Sequence, residues 1–334
     1  MAITRRQVVR TLGALAGSAL VAAPAIRAQA QARTLILAHH LNTLHVAHKA
    51  AERFAALVAQ RTNNELRIEI RPAGQMFNLR TSAEAIRIGT LDLCWTDLAT
   101  LANWRQHFGF IMLPFLFRDY DHVHKFMFGP VADTLKEEVR STLNIEILAL
   151  GGSGFRIFNG KRAIANAADC ERMKLRVPDV PISVAMARGL GATPVPIPGP
   201  EIYTALQTGV IDAIEVPPDS IVANRWYEVA PHSSRTHHMY TEVSLMASVQ
   251  VYRSLGPERS RILSTAATEV VRDWMWPENL REQETAWATV AQRTTAVANP
   301  DRASFVAKMQ PVVASFVERN GQAAKRYVDA ITAL

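Results

Sequence analysis

Two stretches, AIRIGTLDL at 85–93 and ALQTGVIDA at 205–213, decide the fold. Each predicts the last turn of a helix, a glycine that ends it, and a short strand closing on an aspartate, Asp92 or Asp212. Glycine suits this place because it adopts a left-handed backbone conformation without steric cost. One helix–glycine–strand unit written twice predicts two similar α/β lobes, each with its own sheet.

Around the first unit, strand and helix patterns alternate along the chain. An alternation of this kind predicts a mostly parallel sheet with helices on both faces. The segments are the strand TLILAHH (34–40), a helix over 45–62 with an apolar face, the alternating ELRIEIRPAG (65–74), a helix from about Tyr120 to Leu143, and the strand IEILAL (145–150).

The same pattern restarts around the second unit. Its segments are a strand GFRIFNG (154–160), a strand KLRVP (174–178), a helix around PISVAMARGLG (181–191) and a proline-rich loop TPVPIPGP (193–200). EVSLMASVQVY (242–252) predicts an extended strand that crosses back, and 301–333 predicts more helix. A helix from about Pro257 to Ala296 is long enough to run along both lobes. We therefore predict lobe one at 31–152 plus about 242–280, and lobe two at 153–241 plus about 281–334.

Residues 1–30 have the three parts of an export signal. Arg5 and Arg6 form a twin-arginine pair, the apolar run 12–25 is too short to span a bilayer, and Ala28 and Ala30 offer cleavage sites. We expect a twin-arginine signal that is cleaved near Ala28 or Ala30, which places the product in the periplasm. The alternative is a retained N-terminal membrane anchor.

The charge of the chain does not predict a nucleic-acid partner. Residues 1–30 carry four arginines and no acidic residue, so the formal net charge of +7 falls to +3 when they are removed. No run of five or more lysines or arginines is present. Partners should be small molecules or other proteins.

Two sheets that face each other form a cleft beyond the carboxyl ends of their strands, where ligands of open α/β sheets bind. The segments that leave those ends are HHLNTLH, CWTDLA, GGSGFR, RVPDVP and IEVPPD. Trp95 and Thr96 could stack on or hydrogen-bond a ligand, although Trp95 could equally belong to a core. One of His39 and His40 should face the cleft, because adjacent strand residues point to opposite sides. Phe155 could be an apolar wall or part of a core.

The longest stretches resemble one family along nearly the whole chain. GSGFRIFNG and MKLRVPDVPISVAMARGLGATPVPIPGPEIYTALQTGVIDAIEVPP are similar to the periplasmic solute-binding proteins of tripartite ATP-independent (TRAP) transporters, the dicarboxylate and sialic acid receptors. IEIRPAGQM, LPFLFRDYDHVHKFMFGP and WYEVAPHSSRTHH support the resemblance.

The resemblance implies a two-lobed receptor that closes on an organic acid and delivers it to small and large integral membrane subunits driven by a sodium gradient. It implies that Arg176, in LRVP, is the carboxylate clamp and that Arg156, in GFR, is a second polar ligand contact. The chemistry agrees, because a planar guanidinium meets a carboxylate with two parallel hydrogen bonds.

Three positions depart from the family pattern. Leu79 stands where relatives commonly carry a Glu, Val216 stands where sialic acid receptors have an Asn after the acid (here Glu215), and Gly199 replaces their Phe. Fewer polar contacts favour a smaller or less polar monocarboxylate over a polyhydroxylated sugar acid.

Rival functions have weaker support. HHLNTLHVAH puts four histidines in ten residues (39–48), which suggests a metal-binding receptor, but structural zinc sites take four ligands and the cysteines Cys94 and Cys170 are remote. No nucleophile–base, P-loop or dinucleotide motif is present, so we expect no enzyme and no cofactor. The receptor of an ATP-driven importer would share the two-lobed architecture.

Overall fold

The structure is a computed structural model that describes residues 32–334. The twin-arginine pair, the apolar run and the cleavage sites at 28 and 30 lie outside the described residues. The strands are β1 Arg33–His39, β2 Leu66–Arg71, β3 Leu93–Thr96, β4 Ile145–Ala149, β5 Gly152–Phe155, β6 Ile157–Gly160, β7 Lys174–Val177, β8 Thr193–Pro196, β9 Ala213–Val216, β10 His232–Ser234, β11 Tyr240–Glu242, β12 Ser244–Ser248 and β13 Thr295–Val297.

The helices connect these strands and cover their faces. They are α1 Val46–Arg61, α2 Leu79–Ile88, α3 Tyr120–Met127, α4 Pro130–Leu143, α5 Pro181–Gly189, α6 Ile202–Thr208, α7 Pro218–Ala223, α8 Val249–Ser254, α9 Gly256–Glu269, α10 Trp276–Arg293 and α11 Arg302–Thr332. Among residues 32–334, no helix is both long enough and apolar enough to cross a membrane.

The first lobe is built on a five-stranded sheet with the order β2-β1-β3-β12-β4. β1 pairs in parallel with β2 and β3, whereas β12 is antiparallel to both β3 and β4. The prediction of a mostly parallel sheet was therefore wrong at this edge. The reason is that β12 arrives from the far part of the chain and inserts between two strands that are neighbours in the predicted series.

The second lobe is built on a six-stranded sheet with the order β13-β10-β6-β9-β7-β8. β7 is parallel to β8 and β9, while β6 is antiparallel to β9 and β10. β5 and β11 form a separate antiparallel pair. This pair joins the segment by which the chain enters the second lobe to the segment by which it leaves. The chain thus forms two α/β lobes, as predicted, although both sheets are mixed. The residue boundaries of the lobes stay a prediction.

The two repeated units occupy equivalent places in the two sheets. Gly89 ends α2 with φ 81° and Gly209 ends α6 with φ 78°, the left-handed conformation that the sequence predicted. Each aspartate precedes its strand rather than closing it, which corrects the prediction. The Ile36 amide donates to Asp92 Oδ2 at 2.8 Å, and the Lys174 amide donates to Asp212 Oδ2 at 2.9 Å. Each carboxylate therefore ties the start of its strand to the neighbouring parallel strand.

Two predicted elements are each divided in two. The helix predicted over 120–143 breaks into α3 and α4, because Gly129 is extended and Pro130 has no amide hydrogen to continue the hydrogen-bond ladder. The strand GFRIFNG divides into β5 and β6, which belong to different sheets. Arg156 is the residue between them.

Two further predictions were wrong in element type. The proline-rich loop contains β8, which pairs in parallel with β7 at the edge of its sheet, where prolines cost no ladder hydrogen bond on the open side. The predicted strand EVSLMASVQVY divides at Val243, between β11 and β12, and it stops at Ser248, where the chain turns into α8.

A helical segment from Gly256 to Arg293 runs along both lobes. It comprises α9, a wider π-helical stretch at Val270–Met275 and α10. Leu263 and Ala266 of α9 pack in the core of the first lobe with Phe54, whereas Trp287 and Val290 of α10 pack in the core of the second. The predicted long helix is confirmed, with its end at Arg293 rather than about Ala296.

Gly151 lies where the chain leaves the first sheet, and the backbone there is packed too closely for a side chain. A Cβ at this position would lie 2.3 Å from the Val243 carbonyl oxygen and 3.0 Å from Trp95. Gly151→Ala should lower the free energy of unfolding by about 2 kcal/mol or more, because the backbone must shift. Thermal unfolding measures the change. Gly199→Ala is the matched control, since no atom lies within 4 Å of its Cβ position; equal stability of the two variants would contradict this packing.

Candidate functional site

Arg176, the predicted carboxylate clamp, lies in β7 of the second sheet. Its side chain is only 7% exposed, and its Nε donates to the Ile197 carbonyl oxygen at 2.9 Å. Among residues 32–334, no carboxylate forms an ion pair with its guanidinium, so the Nη groups have no anionic partner. Burial and the nearby charge of Arg156 lower the pKa of Arg176 to about 10, while Glu215 and Asp97 act in the opposite direction. The guanidinium therefore stays charged at neutral pH.

Arg156 is held by the protein itself. Its Nε donates to Glu215 Oε2 and one Nη donates to Glu215 Oε1 at 2.9 Å and to the Glu215 carbonyl oxygen. The other Nη donates to Thr241 Oγ1 at 2.6 Å. Four of its five N–H groups are thus engaged, which leaves one for a ligand. The predicted role of Arg156 as a second ligand contact stays a prediction.

Glu215 is the counter-ion of this pair and is completely buried. Burial alone would raise the pKa of its carboxyl, but the charge of Arg156, its hydrogen bonds and the nearby His238 outweigh that effect and hold the pKa below its usual range. The His238 ring also stacks on Phe158 with centroids 4.5 Å apart. Glu215 therefore fixes Arg156 and is shielded from solvent.

The two candidates at the end of β3 are both fully buried. Trp95 lies in the core of the first lobe, and its Nε1 has no hydrogen-bond partner among residues 32–334. Thr96 donates through Oγ1 to the Leu79 carbonyl oxygen at 3.1 Å. Of the two readings of Trp95, the structure favours the core, and a ligand contact by either residue stays a prediction.

Phe155 and Val216 also lie in packed surroundings. Phe155 makes edge contacts with Tyr120 and Tyr240 at 5.1 and 5.2 Å between ring centroids and stacks on His237 at 5.3 Å. Val216 belongs to the core of the second lobe. Both residues therefore pack in apolar surroundings, and a ligand contact by either of them stays a prediction.

His40 lies close enough to Arg176 for the two charges to interact. Burial, with the nearby charges of His45 and Arg176, lowers the pKa of His40 to about 3. Its Nδ1 is buried without a hydrogen-bond partner within residues 32–334. A neutral imidazole with an unused nitrogen can hydrogen-bond a ligand, as the sequence predicted for one of the two adjacent histidines.

The four-histidine run does not assemble into a metal centre. His39 Nε2 and His48 Nδ1 lie 3.0 Å apart and share one hydrogen bond, while His45 Nε2 lies 3.2 Å from Asp219 Oδ2. In the part of the chain that the structure describes, no group of three or more His, Cys, Asp or Glu has an arrangement that could hold a metal ion. These histidines instead tie α1 to β1 and to α7.

A sequence profile of the bacterial extracellular solute-binding proteins, family 7, matches residues 37–320. The chain belongs to this family. It is 31% identical over 223 residues to the 2,3-diketo-L-gulonate-binding periplasmic protein of Escherichia coli K12, covering 66% of this chain and 68% of the relative. Among solved structures, it is similar to a TRAP periplasmic solute-binding protein from Xanthobacter autotrophicus Py2 with bound β-D-galacturonate, with a TM-score of 0.85 and 27% identity over 90% of this chain and 99% of that one.

A second solved structure with a similar fold has a smaller ligand. It is a TRAP periplasmic solute-binding protein from Polaromonas sp. JS666 bound to D-erythronate, with a TM-score of 0.84 and 25% identity, covering 90% of this chain and 98% of that one. The two-lobed fold predicted for this family 7 protein is therefore confirmed.

Sequence reasoning missed Asp97 of this family 7 protein. Asp97 follows β3 directly, is 6% exposed, and makes no side-chain hydrogen bond to any residue in 32–334. Burial raises the pKa of its carboxyl to about 7, although the charges of Arg156 and Arg176 oppose the shift. The available signal was its place in CWTDLA, a polar residue directly after a buried strand that ends at the cleft.

Glu242 of β11 was missed as well, because it lies far from Asp97 in sequence. The Leu98 amide donates to Glu242 Oε1, and the Ser244 hydroxyl donates to Oε2. Burial, with the charge of Asp97, raises the pKa of Glu242 well above its usual value. Only the return of β11 toward the end of β3 brings the two carboxyls together.

The Arg156–Glu215 pair should contribute strongly to stability. Glu215→Ala should lower the free energy of unfolding by about 3–5 kcal/mol, because it leaves a buried guanidinium without its counter-ion. Urea unfolding measures the loss. The matched control is Glu137→Ala, which removes a glutamate from a pair with Arg140 on the surface of α4 and should cost less than about 1 kcal/mol. Similar losses in the two variants would refute a structural role for the buried pair.

Proposed function

We propose that this family 7 protein is the periplasmic receptor of a TRAP transporter and that it binds a small hydroxylated organic acid through Arg176. The observation that carries the proposal is the Arg176 guanidinium, which is buried at the cleft without an anionic partner among residues 32–334. A ligand carboxylate would form two parallel charge-assisted hydrogen bonds with it, each contributing about 1.5–3 kcal/mol.

The same group explains how binding would favour lobe closure. An unpaired buried guanidinium costs several kcal/mol, so the closed form without ligand is disfavoured. A bound carboxylate removes that penalty and shifts the population toward the closed form, because a ligand moves an equilibrium only by its differential affinity. Arg156 contributes less directly, since Glu215 and Thr241 hold it in place beside Arg176.

The polar groups around Arg176 favour a ligand with hydroxyl groups. Asp97 has no side-chain hydrogen bond within 32–334, and His40 Nδ1 is buried without a partner there. Buried polar groups of this kind are normally satisfied, and ligand hydroxyls can satisfy them. The similar proteins with galacturonate and erythronate bind hydroxylated acids. We therefore propose a hydroxylated acid as the ligand. The family comparison at Leu79, Val216 and Gly199 had instead favoured a smaller or less polar monocarboxylate.

Export and partners complete the proposal. Residues 1–30 would direct the chain through the twin-arginine route and be cleaved near Ala28 or Ala30, which the N-terminal sequence of the exported protein would reveal. The partners would be the small and large integral membrane subunits of a TRAP transporter. Neighbouring genes for two such subunits, with no ATPase, would separate this receptor from that of an ATP-driven importer.

The rival classes have less support. The relatives are solute-binding receptors rather than enzymes. A metal receptor built on the histidines at 39–48 would need a ligand group that residues 32–334 do not contain. No cofactor is part of the proposed function.

Arg176→Ala should abolish tight binding of organic acids and leave the fold intact. Arg176→Lys should also bind at least about tenfold more weakly, because an ammonium lacks the planar fork. Thermal unfolding against a panel of mono- and dicarboxylates, uronic acids and amino acids measures this, since a ligand at 100 times its dissociation constant adds about 2.7 kcal/mol.

The control for this experiment is Arg188→Ala, which removes an exposed arginine from α5. It should retain the ligand-induced shift of the wild type. An Arg176→Ala protein that keeps the same affinity would remove the clamp from the proposal.

A further inference from the structure

Among the described residues, buried acidic side chains outnumber buried basic ones. Among buried residues in 32–334, the arginines and lysines are Arg156 and Arg176 only, whereas the buried carboxyls are those of Asp97, Glu215, Asp219 and Glu242. A buried charge without a partner is costly. Whether each of these arginines and carboxyls already has a partner in the protein therefore determines what charge a ligand in the cleft can carry.

Most of these groups are already matched within the protein. Arg156 is neutralised by Glu215, and Asp219 Oδ2 lies 3.2 Å from His45 Nε2. Glu242 accepts hydrogen bonds from the Leu98 amide and the Ser244 hydroxyl. Neither the guanidinium of Arg176 nor the carboxyl of Asp97 forms an ion pair within residues 32–334, and the two lie near enough for their charges to interact.

We propose that the Asp97–Glu242 carboxyl pair makes this cleft selective for a single negative charge, so that the receptor accepts hydroxylated monocarboxylates and rejects the dicarboxylates of the same carbon skeleton. The inference rests on the proposed function, since it concerns the acid that Arg176 would clamp. One ligand carboxylate occupies Arg176. A second would find no buried lysine or arginine free of a carboxylate among residues 32–334 and would face the carboxyl of Asp97.

Asp97 and Glu242 act as a unit because Glu242 holds the backbone that follows Asp97. Glu242 accepts from the amide of Leu98, the next residue along the chain. The Asp97 side chain makes no hydrogen bond within residues 32–334, so a ligand hydroxyl group can donate to it, whereas a ligand carboxylate cannot.

The selectivity should depend on pH in a defined direction. Burial raises the pKa of Asp97 to about 7, so its negative charge increases between pH 6 and 8. The charges that act on Asp97 are those of Arg156 and Arg176, and Asp97 in turn acts on Glu242. Next to these arginines, Glu215 and His238 interact with Arg156, and His40 interacts with Arg176. Burial lowers the pKa of His238 and His40, so neither adds a positive charge as Asp97 ionises.

Two pairs of acids test the proposal, each pair sharing one carbon skeleton. The probes are D-erythronate against meso-tartrate and D-galactonate against galactarate, titrated calorimetrically into the purified protein at pH 6, 7 and 8. Ligand carboxyls titrate near pH 4, so both dicarboxylates stay dianionic throughout. The monocarboxylate of a pair should bind about tenfold or more tightly at pH 8, and the preference should increase from pH 6 to pH 8.

The variant Asp97→Asn removes the charge and keeps the shape of the side chain. It should reduce the preference to less than about threefold and abolish its pH dependence. Asp133→Asn is the matched control, because it removes a carboxylate that is 78% exposed and pairs with Lys136 on the surface of α4, away from the segments that leave the strand ends. Its preference should equal that of the wild type.

The outcomes separate this inference from the proposed function. If both acids of a pair bind the wild type equally, if the dicarboxylate binds more tightly, or if folded Asp97→Asn keeps the full preference, the charge-selection proposal is wrong while the carboxylate receptor stands. If Asp97→Asn does not fold, the pH series on the wild type decides, and a preference that is constant from pH 6 to 8 overturns the proposal. If none of the four acids binds, both proposals fail together.

Discussion

The ion pair between Arg156 and Glu215 is the interaction on which the rest of this structure depends. Arg156 stands between β5 and β6, where the chain passes from one sheet system to the other, and Glu215 belongs to β9. Thr241 of β11 accepts a fourth bond from the same guanidinium, so three distant segments meet at one buried cation. A buried charge is tolerated only when it is paired and hydrogen-bonded, and this requirement fixes the geometry of the crossing.

The Arg156–Glu215 pair gives the two buried arginines, Arg156 and Arg176, different charge environments that their sequence does not distinguish. Because Glu215 neutralises Arg156, the second guanidinium is left as the group whose charge the protein does not neutralise with an ion pair. Arg176 is oriented by a single bond to the Ile197 carbonyl oxygen, which holds the side chain without cancelling its charge. A rigid, neutral pair beside an oriented, unpaired cation is a suitable arrangement for binding one carboxylate. In the proposed function, the cost of burying that cation without a ligand would favour closure only when a carboxylate is bound.

Much of the fold was readable from local patterns. The glycines at 89 and 209, the amphipathic helix before β2 and the long helical segment to Arg293 follow from residues that act over one or two turns. The errors share one cause. The antiparallel insertion of β12, the strand β8 within a proline-rich segment and the division of GFRIFNG all depend on pairing with strands that are remote along the chain. Local propensity carries no information about such partners.

The sequence by itself determined the α/β alternation, the two-lobed repeat, the family resemblance and the two arginines, because each is written in a contiguous stretch. Only the tertiary structure decided which arginine is neutralised, that Glu242 holds the backbone next to Asp97, and that His39, His45 and His48 connect α1 to β1 and α7 instead of forming a metal group. The physical reason is the same in each case. Charge, desolvation and hydrogen bonding depend on distances between side chains, and residues separated by tens to more than a hundred positions acquire those distances only when the chain folds.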